Sequence, residues 1–497
     1  MKKIILSAGI LLSAVFLSPS CKDAVVVENK DVNRWIYSNM DFYYLWNDKI
    51  TKSPNYGLTP DKFFNSLLYK FDKTAAPDGD RFSWIESNYR KLLESLSGVS
   101  SDEIGFEYIA LRVSEDGVTP GQYYLLVTYP MKGTDAYAKG LKRGNIVLAI
   151  NDQEITSVNA SQLLGGTGTR TLSIADWVTN PTTNKRELRK IYDLSVQMQA
   201  KYAENPIYLD TIYNINGMNI GYLVYNFFAR DKGDGSHNYD KELMDKLQKF
   251  QGVSDLVLDL RYNSGGTVST AIGLASALMK DLSPDKIFGW GQYNPDLHRE
   301  LVKYYKDDKF NVDYFVDKMM DTTAVVADVP QLNLSNLYVL TGKYTASASE
   351  LVINGLKPYM NIVLVGDTTY GKNVGSVTIY DEDSKKTKNM WGLQPIVVRY
   401  YNSANQSDYT NGFVPQFPVD ELADFDLVDF GDITDPLLNK ALTEIAGPQP
   451  VAVKRYNRMK KATPEPLKWL RVGDRKEQFP LIDDRRERII QRVWSPD

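Results

Sequence analysis

Histidine and cysteine are almost missing from this chain of 497 residues, which holds two histidines, His237 and His298, and one cysteine, Cys21. Zinc sites draw on several His or Cys ligands, so no metal or other cofactor is expected. One cysteine cannot close a disulfide within the chain. A Ser-His or Cys-His catalyst would have to recruit one of only two imidazoles. Strong charge of one sign is also missing: 58 Lys and Arg stand against 62 Asp and Glu, a net charge of -4, which gives no general attraction to nucleic acid. What is present is ordinary for a soluble protein, with 43% hydrophobic, 12% aromatic and 24% charged residues, so disorder and fibre are excluded. The length is about three times a common domain of about 150 residues, which predicts two to four domains.

The start of the chain is basic, Met1-Lys2-Lys3, and an apolar run then covers residues 4–17. At about 14 residues the run is shorter than the roughly 20 that a spanning helix needs and has the form of a signal peptide, here 1–21. It ends at Leu17-Ser18-Pro19-Ser20-Cys21. That ending resembles the lipobox of bacterial lipoproteins, with Ser18 in place of the usual Leu, and it implies cleavage before a lipidated Cys21. A plain secretory signal cut near Ser20 is the other reading. Both place the mature protein outside the cytoplasm, in a bacterial cell envelope. A lipid anchor would make the membrane a partner.

The remainder predicts a multidomain α+β protein. Residues 28–98 form a helical, aromatic-rich domain in which Trp35, Ile36, Met40, Tyr43, Tyr44 and Trp46 share a broad face, and Thr59-Pro60-Asp61 marks a helix start. Residues 103–199 are β-rich. Within them Gly140-Leu141-Lys142-Arg143-Gly144-Asn145, followed by a strand ending in Ile150-Asn151, resembles a PDZ domain, with Asn145 in place of the usual Asp. The resemblance implies that an extended peptide, often a C-terminal one, adds as a strand to a sheet edge. Tyr124, Leu125 and Leu126 are the candidate edge. Residues 200–447 alternate strands and helices, as an α/β layer does. The last stretch, 451–497, has 13 Lys and Arg against 7 Asp and Glu and reads as a basic tail, a solvated cover over an acidic face or a contact with the membrane.

Three segments of the α/β part carry chemistry. Asp259-Leu260-Arg261-Tyr262-Asn263-Ser264-Gly265-Gly266 is a strand opening into a double-Gly turn, where backbone N–H groups can face a ligand unobstructed by a Cβ. Thr345-Ala346-Ser347-Ala348-Ser349-Glu350 leads from a strand into a helix, which sets a serine oxygen beside unpaired N–H groups. The third segment, 362–372, is a buried strand ending in Gly371-Lys372.

Together these segments resemble the signature of the C-terminal processing peptidases, extracytoplasmic Ser-Lys proteases. The resemblance implies a ClpP/crotonase-like core in which Ser347 is the nucleophile and Lys372, 25 residues on, is the general base. It also implies an oxyanion site from the N–H of Ala348 and one of Gly265 or Gly266, with peptides or proteins bearing extended C-terminal segments as substrates. The family commonly carries Gln four residues after the lysine to orient it; this chain has Ser376 there, which is expected to join the catalytic site by accepting a hydrogen bond from Lys372 in its place. About 80 residues separate the double-Gly turn from Ser347, so 284–334 is expected to be an insertion near the site. Two other readings remain open: a non-catalytic peptide-binding lipoprotein on a degenerate protease fold, and a tricorn-like Ser-His protease.

Competing motifs fail on context. The stretch 366–372 fits Gly-x-x-x-x-Gly-Lys, but Asn373 replaces Ser or Thr and a strand follows where a phosphate loop needs a helix. Ser283-Pro284-Asp285-Lys286 has Ser-x-x-Lys spacing in a turn with no Lys-Thr-Gly after it. His237 falls in a polar loop and His298 in a charged segment.

Overall fold

The computed structural model describes residues 29–96, 98–113, 123–182, 186–334, 336–381, 389–423, 427–448, 469–474, 480–487 and 489–490, so the signal segment and Cys21 lie outside the described residues. At the centre is a six-stranded sheet in the order Ile207–Ile215, Met218–Tyr225, Asp255–Asp259, Asn336–Thr341, Asn361–Gly366 and Phe417–Pro418. The first two strands are an antiparallel hairpin, and every later neighbour is parallel. Parallel neighbours require crossovers, which the helices Asn238–Gln248, Val268–Leu278 and Ala348–Leu356 supply. Both faces are covered, so alternate residues meet different cores. Leu223, Leu256, Leu258, Leu337 and Val339 join the large core with those helices. Tyr222, Val224, Val257 and Leu340 pack against Leu437, Leu438, Ala441 and Leu442 of the helix Pro436–Ala446.

The register of the three middle strands decides where the chemistry gathers. Asp259 lies opposite Leu340, and Leu340 opposite Val365. The loops that follow, with Gly265 and Gly266, Ser347 and Lys372, therefore leave from neighbouring carboxyl ends of one sheet.

A second six-stranded sheet has the order Gly266–Thr267, Leu481–Ile482, Val374–Ser376, Ile396–Asn402, Ile287–Tyr293 and Val312–Tyr314. This corrects the expectation of a solvated basic tail. Leu481 and Ile482 are buried between the double-Gly strand and the strand after Lys372. Arg486 is buried on Asp313 and Asp483, and Tyr43 Oη donates to Ile490 O at 2.9 Å. The charges of Arg485 and Arg486 are matched to Asp313 and Asp483, which lets residues 480–487 fold inward. The stretch 284–334 is also corrected, since it builds two strands of this sheet and packs on the helix Val268–Leu278, Val316 N–H donating to Ser276 Oγ at 2.9 Å.

The N-terminal helices Asn29–Tyr43, Pro60–Leu67 and Tyr89–Leu96 are as the aromatic pattern predicts, with Pro60 in the first turn after Thr59. Ile36, Met40, Tyr43, Phe63 and Phe64 enter the same core as the central helices. A short strand between the second and third of them, Trp84–Glu86, pairs antiparallel with Gly392–Gln394, Trp84 facing Gln394.

The β-rich region is a seven-stranded sheet that also takes in Trp469–Asp474. Its strand Tyr123–Pro130 is not an edge: Phe106–Val113 pairs on one side and Ile146–Ile150 on the other. Leu125 and Leu126 are accordingly buried in two different cores, and Tyr124 packs beside the second of them. An apolar run with both flanks paired is a central strand, so the candidate edge at Tyr124, Leu125 and Leu126 is ruled out. The outer side of Phe106–Val113 carries the chain's own Trp469–Asp474 as an antiparallel strand. Among the described residues, no helix is long and apolar enough to cross a membrane.

Candidate active site

Ser347 is the N-cap of the helix Ala348–Leu356 and has φ +62° and ψ -112°, a backbone conformation that non-glycine residues rarely adopt. The surroundings hold it there. Ser347 N–H donates to Glu350 Oε2 at 2.9 Å, Ala346 N–H to Asn263 O at 3.1 Å, and Thr345 Oγ1 to Leu260 O at 2.7 Å. The serine turn and the double-Gly turn are thus bonded to each other.

Gly265 and Gly266 have φ of +110° and +140°. A Cβ on Gly265 would lie 2.6 Å from both Ser347 Cβ and Pro480 O, so only glycine allows this approach. The two N–H groups have different tasks. Gly265 N–H donates to Asn263 Oδ1 at 2.9 Å, within its own turn, whereas Gly266 N–H donates to Pro480 O at 2.7 Å. Ser347 Oγ donates to that same carbonyl oxygen at 2.8 Å. A carbonyl-oxygen position beside Ser347 is therefore built, and the chain's own Pro480 carbonyl fills it. Ala348 N–H, in the first turn of the helix, has no acceptor among the described residues.

Lys372 is 3% exposed. Burial pushes its ammonium down from 10.5 to about 7, against weaker opposing pulls from Asp80 and Glu350. Its Nζ sits 5.0 Å from the centre of the Phe82 ring. Lys372 N–H donates to Glu350 Oε2 at 2.8 Å, the oxygen that also receives Ser347 N–H, so one carboxylate atom ties the backbones of both residues. The other oxygen, Oε1, takes Thr369 Oγ1 at 2.5 Å and Gly371 N–H at 2.7 Å. Burial drives the Glu350 carboxyl upward while these four donors oppose the shift. Its oxygens are spent on positioning N–H groups and on a hydroxyl.

Beside Lys372 lies a cavity of about 250 Å³ whose lining includes Arg81, Phe82, Tyr370, Lys372, Ser376, Gln394 and Pro480. Ser347 is fully buried behind Pro480. Ser376 lines the cavity, but the expected bond from Lys372 is not among its hydrogen bonds: its Oγ accepts from Gln394 Nε2 at 2.9 Å and donates to Leu481 O at 3.4 Å. None of the lining residues comes from 284–334. His237 precedes the helix Asn238–Gln248, with its ring 3.2 Å from Asp321 and 3.5 Å from Asp231. His298 packs on Phe310. Neither histidine lines the cavity. Among the described residues no group of three or more His, Cys, Asp or Glu could hold a metal ion.

Sequence reasoning therefore finds Ser347, Lys372, Gly266, Ala348 and Ser376 near one another and gives Gly265 a supporting place. It misses Glu350, whose signal was available: Ser347-x-x-Glu350 has the spacing of a capping box at a helix start. It also misses Arg81 and Phe82. Arg81 Nη2 donates to Gly371 O at 2.6 Å and Thr410 O at 2.9 Å, clamping the lysine turn from the N-terminal region.

Two family models match the chain: that of the peptidase S41 N-terminal domain over residues 31–84, and that of peptidase family S41 over residues 219–419. The chain belongs to peptidase family S41. The second match contains the double-Gly turn, Ser347 and Lys372, and the first contains Arg81 and Phe82. A carboxyl-terminal-processing protease of a Picosynechococcus species is 25% identical over 338 residues, 66% of this chain and 70% of its own length. A carboxy-terminal processing protease of Bacillus subtilis is 23% identical over 353 residues, 69% of this chain and 62% of its own. A solved structure assigned to the S41 proteases, from Bacteroides fragilis, shares 28% identity and a TM-score of 0.67, covering 83% of this chain and 97% of that one. The S41 fold is thus a mixed α/β multidomain one with an N-terminal domain, and this chain is a peptidase.

Proposed function

We propose that this S41 peptidase cleaves protein substrates near their carboxyl ends by a Ser347–Lys372 acyl-enzyme mechanism. The observation that carries the reading is a buried lysine, poised near 7, on the same carboxylate that holds the serine. Neutral Lys372 takes the Ser347 Oγ proton as Oγ attacks the scissile carbonyl carbon. The oxyanion takes the place of the Pro480 oxygen, met by Gly266 N–H and Ala348 N–H. Lys372 then passes its proton to the leaving amine, which departs with the C-terminal fragment. It next takes a proton from water, which attacks the Ser347 ester, and returns that proton to Ser347 Oγ as the ester C–O bond breaks and the acyl group leaves as a carboxylic acid. In this reading the Pro480 carbonyl is a resting occupant that substrate displaces.

The β-rich region acts as a PDZ-like selector for extended C-terminal segments, and the α/β part as a ClpP/crotonase-like core. Strand addition at the outer side of Phe106–Val113, where Trp469–Asp474 pairs now, is the recognition mode that suits the fold. The enzyme works outside the cytoplasm on a Cys21 lipid anchor. The test is incubation of envelope-extracted protein, and of its Ser347→Ala variant, with casein and with matched peptides bearing free or amidated carboxyl ends. Cleavage by the parent alone, faster on free ends, supports the proposal. No cleavage by the parent, or equal cleavage by Ser347→Ala, overturns it, and indifference to amidation removes the selector role. Mass spectrometry of the same protein should show an acylated N-terminus at residue 21.

A further inference from the structure

In the second sheet Leu481–Ile482 lies between Gly266–Thr267 and Val374–Ser376, two strands that among the described residues do not pair with each other. Leu481 stands opposite Gly266, and Ile482 opposite both Thr267 and Ser376, all in parallel. Without Leu481–Ile482 the sheet would hold a slot one strand wide, with an open backbone edge on each side. Ser347 stands at its mouth, because Pro480, the residue before the strand, has its carbonyl oxygen on Ser347 Oγ and on Gly266 N–H. A slot of this kind is what an extended peptide enters by strand addition.

The segment sits as a substrate held short of reaction. Its carbonyl takes the oxyanion position, but Ser347 Oγ gives its single proton to that oxygen, and Ala348 N–H has no acceptor among the described residues. The residues beyond the slot fasten the segment without touching Ser347. Asp484 accepts Ser269 N–H at 3.0 Å and also Ser269 Oγ, in the first turn of the helix Val268–Leu278. Glu487 Oε1 accepts Thr378 N–H at 2.7 Å, and Asp483 Oδ2 accepts Tyr293 Oη at 3.0 Å. Together with Arg486 on Asp313 and Ile490 O on Tyr43, these contacts form a latch.

We propose that Pro480–Ile482 is a tethered substrate mimic, which fills the slot for the leaving side of a substrate and keeps Ser347 closed until residues 480–490 swing out. The segment competes with substrate, so the closed fraction raises KM and leaves kcat at saturation unaltered. The inference rests on the Ser347–Lys372 reading above and deepens it, adding how the site is kept shut and where the C-terminal fragment of a substrate lies.

The test uses the full chain and a peptide that the parent cleaves. Thr267→Cys with Ile482→Cys places two cysteines at paired positions of neighbouring strands, within disulfide reach. Oxidation, confirmed by mass spectrometry, should lower cleavage by roughly 50-fold or more, and reduction should restore it, while each single variant stays indifferent to oxidant. An oxidised pair that cleaves as fast as the reduced pair overturns the proposal. Should the pair fail to fold or to oxidise, Asp484→Ala decides, since it unfastens the latch: KM should fall roughly 3- to 10-fold with kcat near the parental value, whereas a merely structural loss would lower kcat or raise KM. An unchanged or raised KM overturns the proposal. The milder Ser269→Ala, with a fall in KM of about 2-fold, takes its place if that chain does not fold. Ser347→Ala separates the two readings. If the reduced pair still cleaves with Ser347→Ala added, the Ser-Lys mechanism itself fails; if Ser347→Ala is inactive while the oxidised pair is fully active, only the latch fails.

Discussion

Arg261 and Lys372 are both buried cations of the same α/β part, and they end in opposite states. Arg261, two residues after the strand-end Asp259, is 1% exposed. Its guanidinium meets Asp259 at 2.8 Å, Asp435 at 2.8 Å and Glu421 at 2.7 Å. Burial pulls its proton affinity down, but the three carboxylates outweigh burial and the net shift is upward. Arg143 from the β-rich region joins the cluster through Glu421 and through Tyr262 Oη at 3.0 Å. Around Lys372 the two carboxylates that oppose burial are already occupied: Asp80 accepts Tyr44 Oη and the N–H groups of Phe82 and Ser83, and Glu350 accepts three backbone N–H groups and Thr369 Oγ1. The lysine faces Phe82 instead and falls to about 7. Burial that outweighs nearby carboxylates thus makes a base, and burial that carboxylates outweigh makes a permanent charge that pins two regions together.

The largest effect that would break this contrast is on cleavage. Ser347→Ala and Lys372→Ala should each abolish peptide hydrolysis, the double variant should be no worse, and Lys372→Arg should be equally inactive because a guanidinium stays charged. A progress curve for each on one peptide decides it.

Next comes stability. Arg261→Met strands Asp259 and Asp435 and should cost about 3–5 kcal/mol in denaturant unfolding. Lys372→Met removes a buried cation whose burial outweighs the pulls of Asp80 and Glu350, so it should raise stability below pH 7. The folded value of Lys372 is below its ordinary 10.5. The unfolded chain therefore binds more protons between about pH 7 and 10.5, and parental stability should rise with pH across that window. Lys372→Met should lack that rise. Identical pH curves for parent and variant would contradict the depressed lysine.

The pH profile of kcat/KM sharpens the contrast further. The active lysine is the neutral one, so kcat/KM should climb with rising pH and reach half its plateau near pH 7. Phe82→Ala opens the apolar wall to water and should move that midpoint upward; an unmoved midpoint would deny Phe82 its part. The smallest effect is expected from His237→Ala and His298→Ala, which should leave kcat/KM and its pH profile at parental values.

Different parts of the molecule were legible in the sequence to different depths. Thr59-Pro60 predicted a helix start because the fixed φ of proline suits the first helical turn, and the helix Pro60–Leu67 begins there without a side-chain cap bond from Thr59. Ser347 and Lys372 were legible because each follows a recognisable strand, and parallel neighbours bring successive strand ends together. Tyr124, Leu125 and Leu126 were misplaced on an edge because an apolar run does not say whether its flanks are paired. Residues 480–487 were misread because a count of basic residues does not show the buried Asp313 and Asp483 that receive Arg486.

By itself, the sequence determined the chemistry on offer: one buried-strand lysine, one serine at a helix start, two consecutive glycines, and too few histidines for most other catalysts. These are properties of residue type and short spacing, set within a turn or two of backbone. The tertiary structure alone decided the company they keep. Arg81 reaches Gly371 across 290 residues, and Ser347 meets Pro480 across 133. Contacts at such separations depend on how sheets register and which cores merge, and no local pattern encodes them.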